Sequence, residues 1–299
     1  MFCAADIVRA VTDSQQRPHD AELLELARTL AAQAGELVSR RRREGVEVAA
    51  TKSSIVDVVT AADRECEAFL RARLAELRPE DGFFGEESDP SASASGLTWV
   101  VDPIDGTVNY LYGVPNYAVS IAVVEGDPAA EPAAFETIAG VVAAPDLRET
   151  YSARRGAGAW RNDAPITVGA GSADITQTLV ATGYAYEEDT RALQASIWAG
   201  ISGTVRDLRR MGAASLDLCA VACGRVDAYF EIGLKPWDWA AGALIAREAG
   251  AQVFGHELET PEGRGRLVAG HPRITGDLQK LLAENTPDAL LPSGETRTS

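Results

Sequence analysis

An apolar run that ends in two closely spaced aspartates limits what this chain can fold into more than any other feature. Residues 99–107 read Trp-Val-Val-Asp-Pro-Ile-Asp-Gly-Thr. Pro103 fixes φ between the two acids and has no backbone N–H, so the turn is stiff. Asp102 and Asp105, together with the carbonyl of Ile104, can then point into one small space, an arrangement that hard cations such as Mg²⁺ prefer. The alternative is an ordinary Asp-Pro-x-Asp-Gly surface turn.

The two residues after the second aspartate suit an anion. Gly106 lets the backbone come close to a ligand. If a helix begins here, the N–H groups of Gly106 and Thr107 would face the anion, with the positive end of the helix dipole behind them. The segment therefore places candidate metal ligands directly beside a candidate anion site.

Two further acidic segments strengthen the metal interpretation. Residues 84–88 contain Glu86 and Glu87, and residues 236–242 open a helical pattern with Asp238 near its first turn. Buried acids without partners are unfavourable, and bound cations would supply the compensating charge. The predicted ligands of a cage around two or three metal ions are Glu86, Asp102, Asp105 and Asp238. Glu87 is expected to support this cage from outside.

These three segments resemble the signatures of the inositol monophosphatase family, which read approximately G-E-E, D-P-I-D-G-T-x-N-[FY] and W-D-x-A-[AG]. Four other stretches are similar to further family segments and follow in the expected order. They are residues 52–63, 156–166, 210–218 and 224–231. The resemblance covers about residues 20–285 and identifies the chain as a member of the family.

The resemblance implies the architecture. Periodicity alone predicts only an α+β or α/β fold, whereas the family has a layered α-β-α-β-α sandwich of the inositol monophosphatase / fructose-1,6-bisphosphatase type. We expect a single phosphatase domain over residues 20–285, with a metal-binding α+β half (20–170) and an α/β half (171–285). Residues 1–19 are predicted to be a flexible N-terminus and residues 286–299 a disordered tail.

Apolar periodicity, capping residues and breakers place the individual elements. The predicted helices are 21–43, 60–78, 190–202, 214–223, 239–249 and 273–283. The predicted strands are 98–101, 117–124, 137–143, 149–153, 179–182, 228–232, 251–254 and 267–269.

The resemblance also implies the roles of the first metal and its water. One Mg²⁺, held by Glu86, Asp102 and the Ile104 carbonyl, would lower the pKa of a bound water, so that hydroxide attacks phosphorus. A Thr107–Asp63 pair would orient this water and help remove its proton. The alternative for Asp63 is a capping box with Thr60, and one residue could serve both ends.

A second Mg²⁺, held by Asp102, Asp105 and Asp238, would stabilise the leaving alkoxide, and the N–H groups of Gly106 and Thr107 would hold phosphate oxygens. By resemblance, Glu231 accepts a hydrogen bond from a ring hydroxyl of the substrate. The alternative for Glu231 is an ordinary carboxylate at a strand end. Ala214 and Asp105 occupy other positions that line the substrate.

The resulting hypothesis is Mg²⁺-dependent hydrolysis of myo-inositol monophosphate. A sibling phosphatase acting on histidinol phosphate, fructose 1,6-bisphosphate or a 3′-phosphoadenosine nucleotide is the alternative, because these relatives share the metal ligands. A non-catalytic protein that binds a partner is a remote third. The family also implies a homodimer and inhibition by Li⁺.

The composition argues against nucleic-acid-binding, membrane-spanning and secreted proteins. A formal net charge of −16 repels phosphate backbones, so sequence-wide binding of nucleic acid is not expected. No stretch approaches the roughly 18 apolar residues of a membrane span, and the N-terminus lacks a secretory apolar region. The cytoplasm is the expected location. The four cysteines are expected to be small core residues, which fits a reducing compartment. The three histidines belong to no recognisable metal-binding or catalytic motif.

Overall fold

The computed structural model describes residues 4–46, 48–51, 58–130, 133–255 and 265–287. Residues 52–57, which begin one of the family-like segments, and residues 288–299, which make up most of the predicted tail, lie outside the described residues. Among the described residues, no helix is long and apolar enough to cross a membrane.

The chain begins with helix α1 (Ala4–Glu44), followed by an antiparallel pair of short strands, β1 (Val48–Thr51) and β2 (Val58–Thr60), and by helix α2 (Ala61–Leu77). Helix α1 starts inside the segment predicted to be flexible, earlier than the expected start at residue 21. Pro18 and Asp20 are typical of a helix start, but the helical backbone continues through them to Ala4.

The larger sheet has seven strands, and their order in space follows their order along the chain. The first two strands run parallel and all later pairs are antiparallel. A short helix, α3 (Thr107–Tyr112), follows the second strand of this sheet. The strands are β3 (Gly82–Gly85), β4 (Leu97–Asp105), β5 (Ala118–Asp127), β6 (Ala134–Ala144), β7 (Glu149–Arg154), β8 (Gly158–Arg161) and β9 (Ala164–Ile166).

The smaller sheet has five strands, and two of its four pairings join strands that are not consecutive in sequence. Its strands are β10 (Leu179–Thr182), β11 (Asp207–Arg209), β12 (Ala228–Ile232), β13 (Gln252–Phe254) and β14 (Arg266–Gly270), in the order β11-β10-β12-β14-β13. Strand β10 is parallel to both neighbours, and β14 is antiparallel to both of its own. The helices of this half are α4 (Glu188–Ile201), α5 (Ala214–Ala222), α6 (Pro236–Glu248) and α7 (Thr275–Asn285).

Three apolar clusters define the layers. One joins α1 and α2 to the first face of the larger sheet. The second fills the space between the two sheets with the small side chains of α5 and α6. The third joins α4 and α7 to the outer face of the smaller sheet. This confirms the predicted α-β-α-β-α sandwich.

Close packing of the central helices depends on small residues. A Cβ at Gly140 of β6 would come within 2.9 Å of the Cα of Ala241 in α6. The alanine-rich sequence of α6 therefore serves contact with the sheet, and a larger residue at either position would push the layers apart.

Most predicted elements are confirmed within a few residues, including strands 179–182 and 228–232, which match at both ends. Strands β8 and β9 form the hairpin that the resemblance implies for residues 156–166. The pair β1–β2 and the strands β3 and β11 were not predicted. Each is only three or four residues long, which is too short for an alternation of apolar and polar residues to be recognised.

Candidate active site

Both aspartates of the central motif lie at the end of β4, where the pairing with β5 is irregular. Asp102 is paired with Ser120 and Asp105 with Ala118, so the register shifts between the two acids. The Ile104 N–H donates to Asp102 Oδ1 at 3.0 Å. Both aspartates are buried, with 2% and 7% of their surface exposed. The interpretation as an exposed surface turn is therefore wrong.

A helix begins at Thr107, two residues after Asp105, so the condition for an anion site at this turn is met. Gly106 precedes α3 with a φ of 92°, in the left-handed region that favours glycine. A Cβ here would also come within 3.0 Å of the Asn116 carbonyl oxygen and 3.1 Å of that of Gly212. The turn thus needs glycine for its conformation and for the close approach of two other segments.

The predicted Thr107–Asp63 pair is in contact, 44 positions apart in sequence. The Thr107 hydroxyl lies 3.2 Å from Asp63 Oδ1 and 3.1 Å from the Ile104 carbonyl oxygen, so it can donate to either. Asp63 also forms the predicted capping box, since the Thr60 N–H donates to its Oδ2 at 2.9 Å. Asp63 therefore makes both predicted contacts, one with Thr107 and one with Thr60. Burial raises the pKa of Asp63 to about 6.

Aromatic packing helps to bring the other two acids to the same place. Glu86 directly follows β3, and Asp238 lies in the first turn of α6, where its Oδ2 accepts from the Lys235 N–H at 2.6 Å. The rings of Phe84 and Trp237, two residues before Glu86 and one before Asp238, lie with their centroids 5.2 Å apart. Glu86, Asp105 and Asp238 line one cleft.

Electrostatics confirm that the four acids are neighbours. Burial raises the pKa of Asp102 well above its usual value, and the charges of Glu86, Asp105 and Asp238 raise it further. Burial and the nearby Glu86 likewise raise the pKa of Asp238. Within the described part of the chain, no Lys, Arg or His forms an ion pair with Asp102, Asp105 or Asp238.

These observations fit the chemistry of a hard divalent cation, because hard anionic oxygens are concentrated without a protein cation to neutralise them. The side chains do not yet form a closed cage. Among the residues described, no group of three or more His, Cys, Asp and Glu side chains is arranged so that it could hold a metal ion. Oxygens of Asp102, Asp105 and Asp238 are instead turned toward backbone N–H donors. A cation would have to draw them together.

Asp105 joins the two halves of the chain. Its Oδ1 accepts from the Ala214 N–H at 3.1 Å, and its Oδ2 accepts from the Ser215 N–H at 2.7 Å and from the Ser215 hydroxyl. These donors belong to the first turn of α5, so the helix dipole also favours the carboxylate. The end of β4 is thus fixed against the start of α5.

The cleft has a volume of about 330 Å³ and contains most of the predicted site. Its lining includes Glu86, Asp105, Gly106, Ala214, Glu231 and Asp238. The other predicted residues are buried beside it: Asp63, Asp102, Ile104 and Thr107.

Glu231 lies near the end of β12 and lines the same cleft as Glu86, Asp105 and Asp238. The Tyr229 hydroxyl donates to its Oε2 at 2.6 Å. Burial raises the pKa of Glu231 to about 7, although an edge of the side chain remains open to the cleft. A Cβ at Gly183 would collide with this carboxylate, so the loop after β10 packs directly against it. Glu231 is thus a held hydrogen-bond acceptor and not a freely mobile strand-end carboxylate.

Several residues of the site were missed by sequence reasoning. Ser215 and Tyr229 lie inside family-like segments but received no role, although a hydroxyl next to a buried acid is a natural donor. Tyr184, Arg210 and Lys235 line the cleft as well. Arg210 is the first residue of the family-like segment 210–218, whereas Tyr184 and Lys235 lie in loops outside the family-like segments.

Fold and site together define an enzyme that hydrolyses phosphate monoesters: a layered sandwich whose buried carboxylates meet at a strand end and a helix N-terminus. Comparison with known proteins gives the family. A model of the inositol monophosphatase family matches residues 19–290. An inositol-1-monophosphatase of Mycobacterium bovis is 43% identical over 278 residues, which cover 86% of this chain and 92% of the relative.

Solved structures agree. The Mycobacterium tuberculosis SuhB structure is 41% identical, has a TM-score of 0.75, and the match covers 91% of this chain and 98% of that one. A structure described as inositol monophosphate-bound SaIMPase-II has a TM-score of 0.69 at 26% identity, covering 89% of this chain and 93% of that one. The chain belongs to the inositol monophosphatase family.

Proposed function

We propose that this enzyme hydrolyses myo-inositol monophosphate to myo-inositol and phosphate and depends on Mg²⁺. The observation that carries the proposal is one cleft lined by Glu86, Asp105 and Asp238 and also by Glu231. Such a cleft can hold a phosphate group and a polyhydroxylated ring at the same time. The relatives named above support the same substrate.

The ligands proposed for two or three Mg²⁺ ions are Glu86, Asp102, the carbonyl of Ile104, Asp105 and Asp238. When bound, Mg²⁺ would act as a Lewis acid that lowers the pKa of water and offsets the charge of the phosphate. The close grouping of Asp102, Asp105 and Asp238, which form no ion pair with a Lys, Arg or His among the described residues, is the reason to expect such a cation.

Thr107 and Asp63 would handle the proton of the attacking water. The Thr107 hydroxyl donates to Asp63 Oδ1, which leaves the oxygen lone pairs of Thr107 to accept a hydrogen bond from the water and orient it. The proton can then pass through Thr107 to Asp63. An Asp63 pKa of about 6 suits a base that works near neutral pH.

The substrate would be oriented from both ends. The N–H groups of Gly106 and Thr107, at the start of α3, are proposed to hold phosphate oxygens. Glu231, fixed by Tyr229, would accept a hydrogen bond from a ring hydroxyl, and Ala214 would line the ring. Pairing a hydroxyl with a buried acceptor discriminates strongly against analogues that lack it.

A panel of substrates tests the assignment. Phosphate release should be measured with myo-inositol 1-phosphate, histidinol phosphate, fructose 1,6-bisphosphate and 3′-phosphoadenosine 5′-phosphate, each with and without Mg²⁺. We expect the first to have the highest kcat/KM. A higher value for another member would assign the chain to a sibling activity, and the absence of Mg²⁺-dependent turnover on all four would favour a non-catalytic binding protein.

Asp105→Asn tests the site itself. We expect a rate loss on the order of 10³-fold, because the neutral amide removes charge that stabilises the transition state. Asp189→Asn, in an exposed part of α4, is the matched control and should leave the rate unchanged. Near-wild-type turnover of Asp105→Asn with saturating Mg²⁺ would contradict the assignment.

We also propose a homodimer, a cytoplasmic location and inhibition by Li⁺, all from membership of the family. Sedimentation of the purified chain would measure its mass in solution. Addition of LiCl to the inositol phosphate assay, at constant ionic strength with KCl, would measure inhibition.

A further inference from the structure

A buried carboxylate outside the proposed metal cage holds the segment that carries Glu86. Glu67 is only 2% exposed and lies in α2, one helical turn after Asp63, so both side chains are on the same face of that helix. Its Oε2 accepts from the Glu87 N–H at 2.8 Å, and its Oε1 accepts from the Ser88 hydroxyl. Neither the predicted ligands nor the predicted water-activating pair includes Glu67.

The sheet supports the segment that Glu67 holds only as far as Gly85. Strand β3 lies at the edge of its sheet, and its last paired residue is Gly85, opposite Val101 of β4. Glu86 is therefore the first residue beyond the sheet ladder. The Glu67 carboxylate occupies the space where a side chain at Gly85 would lie, because a Cβ there would collide with it. Glu67 thus contacts the chain on both sides of Glu86.

The same helix makes a second contact with this segment. The Arg71 guanidinium donates to the Ser88 hydroxyl at 2.7 Å and to the Asp89 carbonyl at 2.6 Å. Ser88 is exposed and Arg71 is half-buried, whereas Glu67 is buried. The inner contact therefore restricts the backbone next to Glu86 more strongly than the outer one.

From these contacts we infer that Glu67 is a positioning residue for the metal site: it fixes the backbone around Glu86 at a set distance from the Asp63–Thr107 pair. The inference rests on the proposed metal-dependent function. Helix α2 then aligns the proton acceptor and the metal ligand as one rigid unit. Replacing a residue that orients a metal ligand without binding the metal itself commonly changes metal affinity or activity by about 10- to 100-fold.

Three substitutions separate position from charge. Glu67→Gln removes the charge but keeps an oxygen that can accept from the Glu87 N–H. Glu67→Asp keeps the charge but is one methylene too short for the same reach. Glu67→Ala removes both. Glu65→Ala is the matched control, because Glu65 is on the same helix and pairs with Arg41 of α1, away from the site.

Binding of Mn²⁺ to the purified full chain, measured by electron paramagnetic resonance of the free ion, is the direct readout. Kinetics with Mg²⁺ and thermal unfolding without metal accompany it. We expect Glu67→Asp and Glu67→Ala to weaken Mn²⁺ binding about tenfold or more, Glu67→Gln to stay within about threefold of wild type, and Glu65→Ala to bind as wild type.

The opposite order of Mn²⁺ affinities would overturn the inference. If Glu67→Asp bound Mn²⁺ like wild type and Glu67→Gln bound it as weakly as Glu67→Ala, Glu67 would act through its charge. Unchanged Mn²⁺ binding in all three variants would overturn it too. If the wild-type chain itself bound no Mn²⁺ and showed no Mg²⁺-dependent turnover, the proposed function would fail independently of Glu67.

Discussion

The carboxyl group of Glu231 should reduce the stability of this protein at neutral and alkaline pH. Its pKa is about 7 in the folded chain, against an ordinary value of 4.5. Between these pH values the folded state binds more protons than the unfolded state, so the free energy of unfolding falls as the pH rises through this window. Glu231→Gln removes the titration while its amide oxygen can still accept from the Tyr229 hydroxyl.

The magnitude follows from the pKa. A rise of this size corresponds to about 3 kcal/mol when the group is fully ionised, and solvent at the open edge of the side chain reduces the expected value to about 2 kcal/mol. In metal-free protein at pH 8, Glu231→Gln should therefore unfold with a free energy about 2 kcal/mol higher than wild type. Near pH 4.5 the difference should shrink to a few tenths of a kcal/mol, because the group is then protonated in the folded state and still about half protonated in the unfolded state.

Urea denaturation in EDTA across this pH range measures the effect. Glu188→Gln, at an exposed position at the start of α4, is the matched control and should change stability equally little at every pH. A Glu231→Gln protein that is less stable than wild type at pH 8, or a difference that does not vary with pH, would refute the reasoning. Kinetics of the same variant should show a raised KM for inositol monophosphate, since the ring hydroxyl loses its charged acceptor.

Three further outcomes are expected. Thr107→Ala and Asp63→Asn should each lower kcat by about 10²- to 10⁴-fold in the phosphate-release assay, with a smaller change in KM, because they act on the proton of the attacking water. Gly106→Ala should lower the free energy of unfolding by about 1–3 kcal/mol in urea, whereas Gly156→Ala, which also has a positive φ but open space around it, should lose only about 1 kcal/mol. Mg²⁺ at about 100 times its Kd should stabilise the wild type by about 2.7 kcal/mol in calorimetry, and Asp102→Asn should lose most of that gain.

Much of the local structure was predictable because it depends on neighbours in sequence. Thr60 and Asp63, three positions apart, predict the start of α2, and the structure has the capping box. Gly106 and Thr107 predict a helix start that α3 confirms. The start of α1 was predicted too late. Pro18 and Asp20 are typical of a helix start, but they do not prevent the longer helix from continuing through them. The division into domains stays a prediction.

Other features had no local signal. The order β11-β10-β12-β14-β13 places residues 179–182 beside two strands from different later segments. Glu67 reads as an ordinary polar residue of an amphipathic helix, yet it is buried against the segment after β3. The resemblance to a family supplied the layers of the fold, which hydrophobic periodicity could not, since periodicity says which face is buried but not against what.

The sequence by itself determined the chemistry available to this protein: hard oxygen ligands beside a glycine turn, a hydroxyl three positions from a candidate ligand carbonyl, and no alternative nucleophile motif. Only the tertiary structure decided that Asp105 is held by Ser215, 110 positions away, and that Glu231 lines the same cleft. The reason is physical. Short-range sterics and hydrogen bonds act between neighbours along the chain, whereas the distance between remote residues is set by how all the layers pack together.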